Sequence, residues 1–266
     1  MTASQTLPFH FSAGDTPLLI SIPHVGTELS PAIAHGLSDA ARPLPDTDWH
    51  LTRLYEFADR LGAGVLSARY SRFVIDLNRP SDDKPLYTTA TTGLYPDILF
   101  DGTPAFLPGK LPTDEQKAFA LLEIWRPYHA KIGEELQRLK QRFGYAVLFD
   151  AHSIRGRIPR LFDGDLPDFN IGTNEGTSCS AELTRQLADV CAVPGYRHVV
   201  NGRFKGGYIT RNYGNPANGI HAVQLELAQR TYMEEALPFD YIETEAQKVQ
   251  PVLQRFVQTL IDFRPS

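Results

Sequence analysis

Four stretches of the chain run apolar without the strict alternation of a half-exposed strand: PLLISIP at 17–23, RFVIDL at 72–77, YAVLFD at 145–150 and HAVQLEL at 221–227. Each is short and rich in Val, Ile, Leu and Phe, a pattern that suits central strands covered on both faces. Between them lie segments of helical period. DWHLTRLYEFADRLG at 48–62 puts Leu51, Leu54, Tyr55 and Ala58 on one face and stops at Gly62, which predicts a crossover helix. A second helix is predicted from Thr113, whose spacing to Gln116 is that of a capping box, through Phe119, Leu122, Ile132, Leu136 and Leu139 toward Phe143, with a kink or break at Pro127. Two more are read over 180–192 and over 241–263, the latter with an internal Pro251.

Strands alternating with helices predict a single α/β domain over residues 1–266, a mostly parallel central sheet flanked by helices. The stretch from Ser81 to Pro112 breaks the rhythm with Pro, Gly, Thr and Asp throughout, and reads as a candidate lid or binding loop.

Composition narrows the partners. The chain has 266 residues, 42% hydrophobic, with a formal net charge of -5, which offers no basic footprint for nucleic acid. Its 2 cysteines, Cys179 and Cys191, are too few for a disulfide framework and lack zinc-knuckle spacing, so a reducing cytoplasm is expected. The first residues have neither the basic start nor the apolar core of a signal peptide, and no run is long enough to span a membrane.

Polar residues cluster where the apolar runs end. His24 follows the first, Asn78 and Arg79 follow the second, and His152 and Glu226 close the third and fourth. In open α/β sheets the crevice beyond the carboxyl ends of the strands is the binding site. Two histidines and a carboxylate are a common catalytic zinc set that leaves a position for water, so His24 and His152 are candidate ligands of one Zn²⁺ per chain. For the carboxylate Asp48 is favoured although Asp is also a common helix cap; Glu28 is its main competitor, with Asp46 and Asp150 behind. Asp150 is better read as orienting a ligand histidine. Glu226 sits in a run that otherwise calls for burial, which is costly for a carboxylate without a task or a partner. It is either a general base or one half of a salt bridge, for instance with Arg230. Arg79 and Arg211, with Asn78, are candidate contacts for an acidic substrate, because a guanidinium grips a carboxylate in bidentate fashion. The remaining histidines, among them His50, His129 and His221, are read as surface or supporting residues.

SIPHVGTELS, DTDWHLTRLYEFADRLGA, RFVIDLNRP, LFDAHS, FKGGYITRNYG and HAVQLELAQRTYMEE, in this order, resemble the N-formylglutamate amidohydrolase family from about residue 17 to residue 235. That family is distantly similar to zinc carboxypeptidases. The resemblance implies a phosphorylase/hydrolase-like fold and one zinc on His24, His152 and an acidic residue. It also implies Glu226 as base and Arg79 on a substrate carboxylate. The implied reaction is cleavage of N-formyl-L-glutamate to L-glutamate and formate in histidine degradation. The carboxypeptidase pattern has Glu three residues after the first His, where this chain has Thr27, and Glu28 comes one residue late. A deacylase of another N-acyl acidic amino acid, or a carboxylate-binding protein of the same fold without chemistry, are the alternatives.

Overall fold

The computed structural model describes residues 7–86 and 91–265. A 7-stranded sheet runs through it. Its strands are β1 (Phe9–Ser12), β2 (Leu18–Ile22), β3 (Gly64–Ala68), β4 (Ala146–Ile154), β5 (Phe169–Gly172), β6 (His198–Val200) and β7 (Ile220–Ala228). Their order across the sheet is β1-β3-β2-β4-β7-β5-β6. The central four, β3, β2, β4 and β7, are parallel, while β1 and β5 join them antiparallel and β6 lies parallel to β5. The chain leaves β2 to form β3 on one side and later returns as β4 on the other. The gap between β2 and β4 is therefore a topological switch point, where loops diverge and a crevice opens.

The helices are α1 (Pro31–Gly36), α2 (Leu51–Leu54), α3 (Asp114–Ala120), α4 (Arg126–Phe143), α5 (Ala181–Cys191), α6 (Tyr208–Tyr213) and α7 (Glu243–Asp262). Strand residues of alternate parity face opposite layers. Val147, Phe149, Ala151, Val223 and Leu225 pack with residues of α2, α5 and α7 on one side, whereas Leu148 and Ala222 pack with residues of α1, α4 and α6 on the other. Continued along β4 and β7, that second face carries Asp150, His152, Gln224 and Glu226. It turns from apolar to charged as it nears the crevice.

Three of the four apolar runs are strands. RFVIDL is not: residues 72–77 form turns and coil above the sheet, with Val74 N–H bonded to Ser71 O and Asp76 N–H to Leu94 O. Phe73, Val74, Ile75 and Leu77 are all buried in the layer over the sheet. The run thus announces burial correctly, but burial on all sides does not distinguish a strand from a coil wedged into a core. Glu226 and His152 also lie inside their strands, which run on to Ala228 and Ile154.

The expected crossover helix is a single α-turn, α2, followed by a 3₁₀ segment at Glu56–Leu61 that Gly62 closes at φ 75°. The face drawn from its spacing is nonetheless buried. Thr113 and Gln116 form the complete capping box. Before Pro127 the helix does not stop; it widens into one π-turn at Leu121–Trp125, where Arg126 N–H bonds to Leu121 O. A proline ring crowds the preceding turn and brings no N–H, and a wider turn relieves both defects. Pro251 lies on the exposed side of α7, which continues through it.

Candidate active site

His24 follows β2 directly, and the backbone of Asp48 is tied to it by a hydrogen bond from Asp48 N–H to His24 O of 3.0 Å. His152 projects from β4 across the switch point. The ligand-capable atoms of His24, Asp48 and His152 all lie within 4.8 Å of one another, and all three residues are buried. Asp48 does not cap α2: the residue at the cap is His50, in the left-handed region at φ 63°. The Asp48 carboxylate instead lies 3.1 Å from His152 Nδ1 and accepts from Ser153 N–H at 3.2 Å.

The competing carboxylates are engaged elsewhere. Glu28 is held by Arg69 at 2.6 Å and is partly solvent-exposed. Asp46 pairs with Arg155 at 3.0 Å and accepts from Phe100 N–H at 2.7 Å. Asp150 Oδ1 stands 3.0 Å from His152 Nε2, on the ring edge remote from Asp48, without hydrogen-bond geometry and with no other partner. His24 has a counterpart that the sequence reading did not single out: Asp76 Oδ1 lies 2.7 Å from His24 Nε2. Each imidazole thus turns Nδ1 toward Asp48 and Nε2 toward a second buried carboxylate. A metal-ligating histidine uses such a partner to fix its tautomer and ring orientation.

The donor set fits a zinc ion. It comprises two imidazoles and one carboxylate whose ligand atoms lie within 4.8 Å of one another, and the ring nitrogen opposite the centre faces Asp76 in His24 and Asp150 in His152. Burial pushes His24 below the usual imidazole value and so favours the neutral form that a metal takes. Burial acts the same way on His152, but Asp150 and Asp48 outweigh it and raise its proton affinity well above the usual range, so metal uptake there releases a proton.

Glu226 lies beside this cluster because the parallel register of β4 and β7 pairs it with His152. Arg230 is paired with Asp168 at 2.7 Å, so the salt bridge that would explain Glu226 structurally is not made. The Glu226 carboxylate accepts from Gln224 Nε2 at 3.3 Å, and Gln224 Oε1 is fixed in turn by Gly207 N–H at 2.7 Å. Burial pushes the Glu226 carboxyl up to about 8. A cation on the neighbouring donors would draw it back down.

Asn78 bridges several of these parts. Its Nδ2 lies 2.9 Å from His152 Nε2 and 3.2 Å from Asp150 Oδ2, and its Oδ1 accepts from Ile209 N–H at 2.8 Å. Gly207 passes so close that a Cβ there would collide with the Asn78 amide.

These groups open onto one cleft. Arg79 lines it, with Nε donating to Thr92 O at 2.8 Å, Nη1 to Asn78 O at 2.9 Å and Nη2 to Thr91 Oγ1 at 3.1 Å. The Arg79 carbonyl is held by Trp125 Nε1 at 2.9 Å, from the π-turn. The irregular stretch 81–112 therefore contributes a wall through Thr91, Thr92 and Phe100, although its residues 87–90 lie outside the described ones. Arg211 is not brought to the cleft; its Nε donates to Gly206 O at 2.7 Å, in support of the Gly206–Gly207 bend. Arg203, not singled out in the sequence, does line the cleft. His129 and His221 are buried core residues, His129 between Leu77 O and Tyr213, His221 at the far end of β7 against Phe263.

A sheet that presents histidines, carboxylates and arginines to one cleft at its switch point defines a hydrolase of the amide-cleaving kind. The comparisons with known proteins agree. The sequence profile of the N-formylglutamate amidohydrolase family matches residues 16–233, and the chain belongs to that family. It is 59% identical over 252 residues to an N-formylglutamate deformylase of Pseudomonas aeruginosa, covering 94% of this chain and 95% of that one. It is 60% identical over 258 residues to an N-formylglutamate deformylase of Pseudomonas putida, covering 97% and 96%. A crystal structure of N-formylglutamate amidohydrolase from Ralstonia eutropha JMP134 superposes with a TM-score of 0.81 at 24% identity, over 96% of this chain and 99% of that one, and shares the fold. Among the described residues no helix is long and apolar enough to cross a membrane.

Proposed function

We propose that the protein is a zinc-dependent N-formylglutamate deformylase that hydrolyses N-formyl-L-glutamate to L-glutamate and formate, a step of histidine degradation. The observation that carries the chemistry is the buried Glu226 set by strand register beside the His24–Asp48–His152 cluster. The substrate is carried over from the deformylases that share 59% and 60% of their residues with this chain.

Zinc on His24, Asp48 and His152 would supply Lewis acidity, polarising the formyl carbonyl and acidifying the attacking water. Asp76 holds the proton on His24 Nε2 and so keeps Nδ1 of that ring free for the metal, while His152 turns Nδ1 to the same centre with its Nε2 facing Asp150 and the Asn78 amide. Glu226 takes a proton from the water as its oxygen bonds to the formyl carbon. It then delivers that proton to the amide nitrogen as the C–N bond breaks, leaving formate and the amine of glutamate. Gln224 keeps one carboxylate oxygen of Glu226 engaged, which orients the group. Arg79 receives a substrate carboxylate. Hydrogen bonds to Thr92 O, Asn78 O and the Thr91 and Thr92 hydroxyls fix the guanidinium before substrate arrives, so little ordering cost falls on binding.

Formate release by the purified protein, assayed on N-formyl-L-glutamate and on N-acetyl and N-succinyl analogues with and without a chelator, tests both halves. The expected result is preference for the formyl group and loss of turnover on metal removal, reversed by zinc. Turnover that survives complete metal removal would sink the zinc assignment, and preference for a bulkier acyl group would sink the substrate.

A further inference from the structure

We propose that the two carboxylates of the substrate are read by two different arginines, the α-carboxylate by Arg79 and the side-chain carboxylate by Arg203. This rests on the dicarboxylic substrate proposed above and assigns the residue that makes the enzyme selective for it.

A dicarboxylate brings two separated charges that must both leave water, and one guanidinium fork matches one carboxylate. Three arginines line the cleft among the described residues: Arg72, Arg79 and Arg203. Arg72 is 5% exposed and is committed to Asp76 at 2.6 Å, so it serves the His24 carboxylate rather than a ligand. Arg79 and Arg203 remain, and different walls carry them. Arg79 is fastened to Thr91 and Thr92, and its neighbour Asn78 touches His152. Arg203 comes from the loop between β6 and α6. Its Nε donates to Leu161 O at 2.7 Å, and its guanidinium carbon lies 5.4 Å from the centre of the Phe204 ring. Phe204 in turn meets Phe162 edge-on at 6.2 Å, and both pack on the small cluster of Phe100, Ile154, Ile158 and Leu166. The Arg203 head is therefore held by a carbonyl and lies beside a ring, through contacts that differ from those of Arg79.

The chemistry of the substrate decides which arginine takes which end. The α-carboxylate is attached to the carbon that bears the scissile nitrogen, so it lies close to Glu226 and His152, where Asn78 and Arg79 are. The side-chain carboxylate extends two methylenes further and reaches the second wall. Arg211, the cation that the glycine-rich segment first suggested, supports the backbone at Gly206 and does not line the cleft.

The test compares kcat/KM for N-formyl-L-glutamate with that for N-formyl-L-norvaline, which replaces the side-chain carboxylate by a methyl group, in the zinc-loaded full-length protein. The native protein should favour the diacid strongly. Arg203→Met should erase at least about tenfold of that preference, mainly through KM. Arg203→Lys keeps the stem against Phe204 and the charge, and should erase a smaller part; it carries the test if the methionine variant does not fold. An unchanged preference in both variants overturns the assignment. So does an equal fall on both substrates, the mark of a structural role, or a collapse of the preference in Arg211→Met instead. A native protein that releases no formate from N-formyl-L-glutamate takes down the functional reading itself, a result distinct from an active enzyme whose selectivity ignores Arg203.

Discussion

Asp76→Asn separates two effects that the buried carboxylate combines. Asp76 is fully buried, with Oδ1 2.7 Å from His24 Nε2 and also accepting Asn78 N–H at 2.9 Å, and Oδ2 2.6 Å from Arg72 Nη2. An asparagine keeps the shape and one acceptor, so His24 and Asn78 retain a partner. The loss falls on Arg72, whose guanidinium is left as a buried cation facing an amide. Breaking a buried ion pair from one side costs roughly 3–5 kcal/mol. Contact of Arg72 with the Phe100 ring, 4.5 Å from the guanidinium carbon, and with Asp46 O at 3.4 Å offsets part of this, which puts the expected loss near the lower figure. A neutral acceptor also polarises His24 less, and zinc affinity should fall by about 10- to 100-fold. Urea unfolding of the metal-free protein measures the first effect and chelator competition the second. Adding Arg72→Met to Asp76→Asn should restore most of the stability and none of the zinc affinity, because the stranded charge is gone while the weaker partner of His24 remains. Zinc affinity within about threefold of the native protein in Asp76→Asn would refute the orienting role, and a double variant no more stable than the single one would refute the account of Arg72.

Glu226→Gln keeps the size and the contact with Gln224 but removes basicity; kcat should fall by roughly 10²–10⁴ while zinc content, read by elemental analysis, stays stoichiometric, and loss of zinc would make Glu226 a ligand instead. Arg79→Lys keeps the charge and loses the fork and its anchors on Thr91 and Thr92, so KM should rise at least about tenfold, and unchanged steady-state kinetics would remove Arg79 from the site. His129 is surrounded by Trp125, Tyr208, Tyr213 and Leu77 O, makes no ion pair among the described residues, and is lowered by burial from 6.5 to about 4. Its folded value lies below its unfolded one, so the stability from its neutral form is fully present above pH 6.5 and is lost as pH falls toward 4, by up to about 3 kcal/mol. Urea midpoints of the native protein and of His129→Gln should converge over that window, and parallel curves would show that His129 does not titrate there.

The parts of the site that were legible in the sequence are those carried by interior strands that read as unbroken apolar runs. His152 and Glu226 could be read because each interrupts an apolar run of β4 or β7, and His24 because it follows β2 at once. β1, β3, β5 and β6 have 3 to 5 residues each, too few to establish a period, and they lack the continuous apolar run that marks the equally short β2. Asp76 was passed over although the argument used for Glu226 applies to it equally: a carboxylate inside FVIDL, a run otherwise fit only for burial, needs a partner. Mistaking that run for a strand hid the signal, since a strand's end is expected to be polar. Arg203 had no signal at all. It stands in NGRFKGG among other cations, and only Leu161 and Phe204, neither remarkable in sequence, single out its head from that of Arg211.

The π-turn at Leu121–Trp125 has a consequence best put as a rule for insertions and deletions. It holds one residue more than an α-helix of the same path, and removing that residue would let α3 and α4 fuse into one α-helix that lacks only the hydrogen bond Pro127 cannot give. The cost would appear elsewhere. With α4 anchored by Tyr128 and Ile132, everything before the turn would rotate by about 100° around the helix axis. Ala120 would leave the core, and the bond from Tyr95 Oη to Lys117 O that tethers the 91–100 segment would break. That segment supplies the Thr91 and Thr92 side of the cleft. A deletion that restores the α-helical phase should thus unmake a wall of the active site, whereas one in the Ala13–Asp15 bend between β1 and β2, which does not line the cleft, would leave it alone. Length in this chain is constrained where one turn sets the phase of a helix against the cleft.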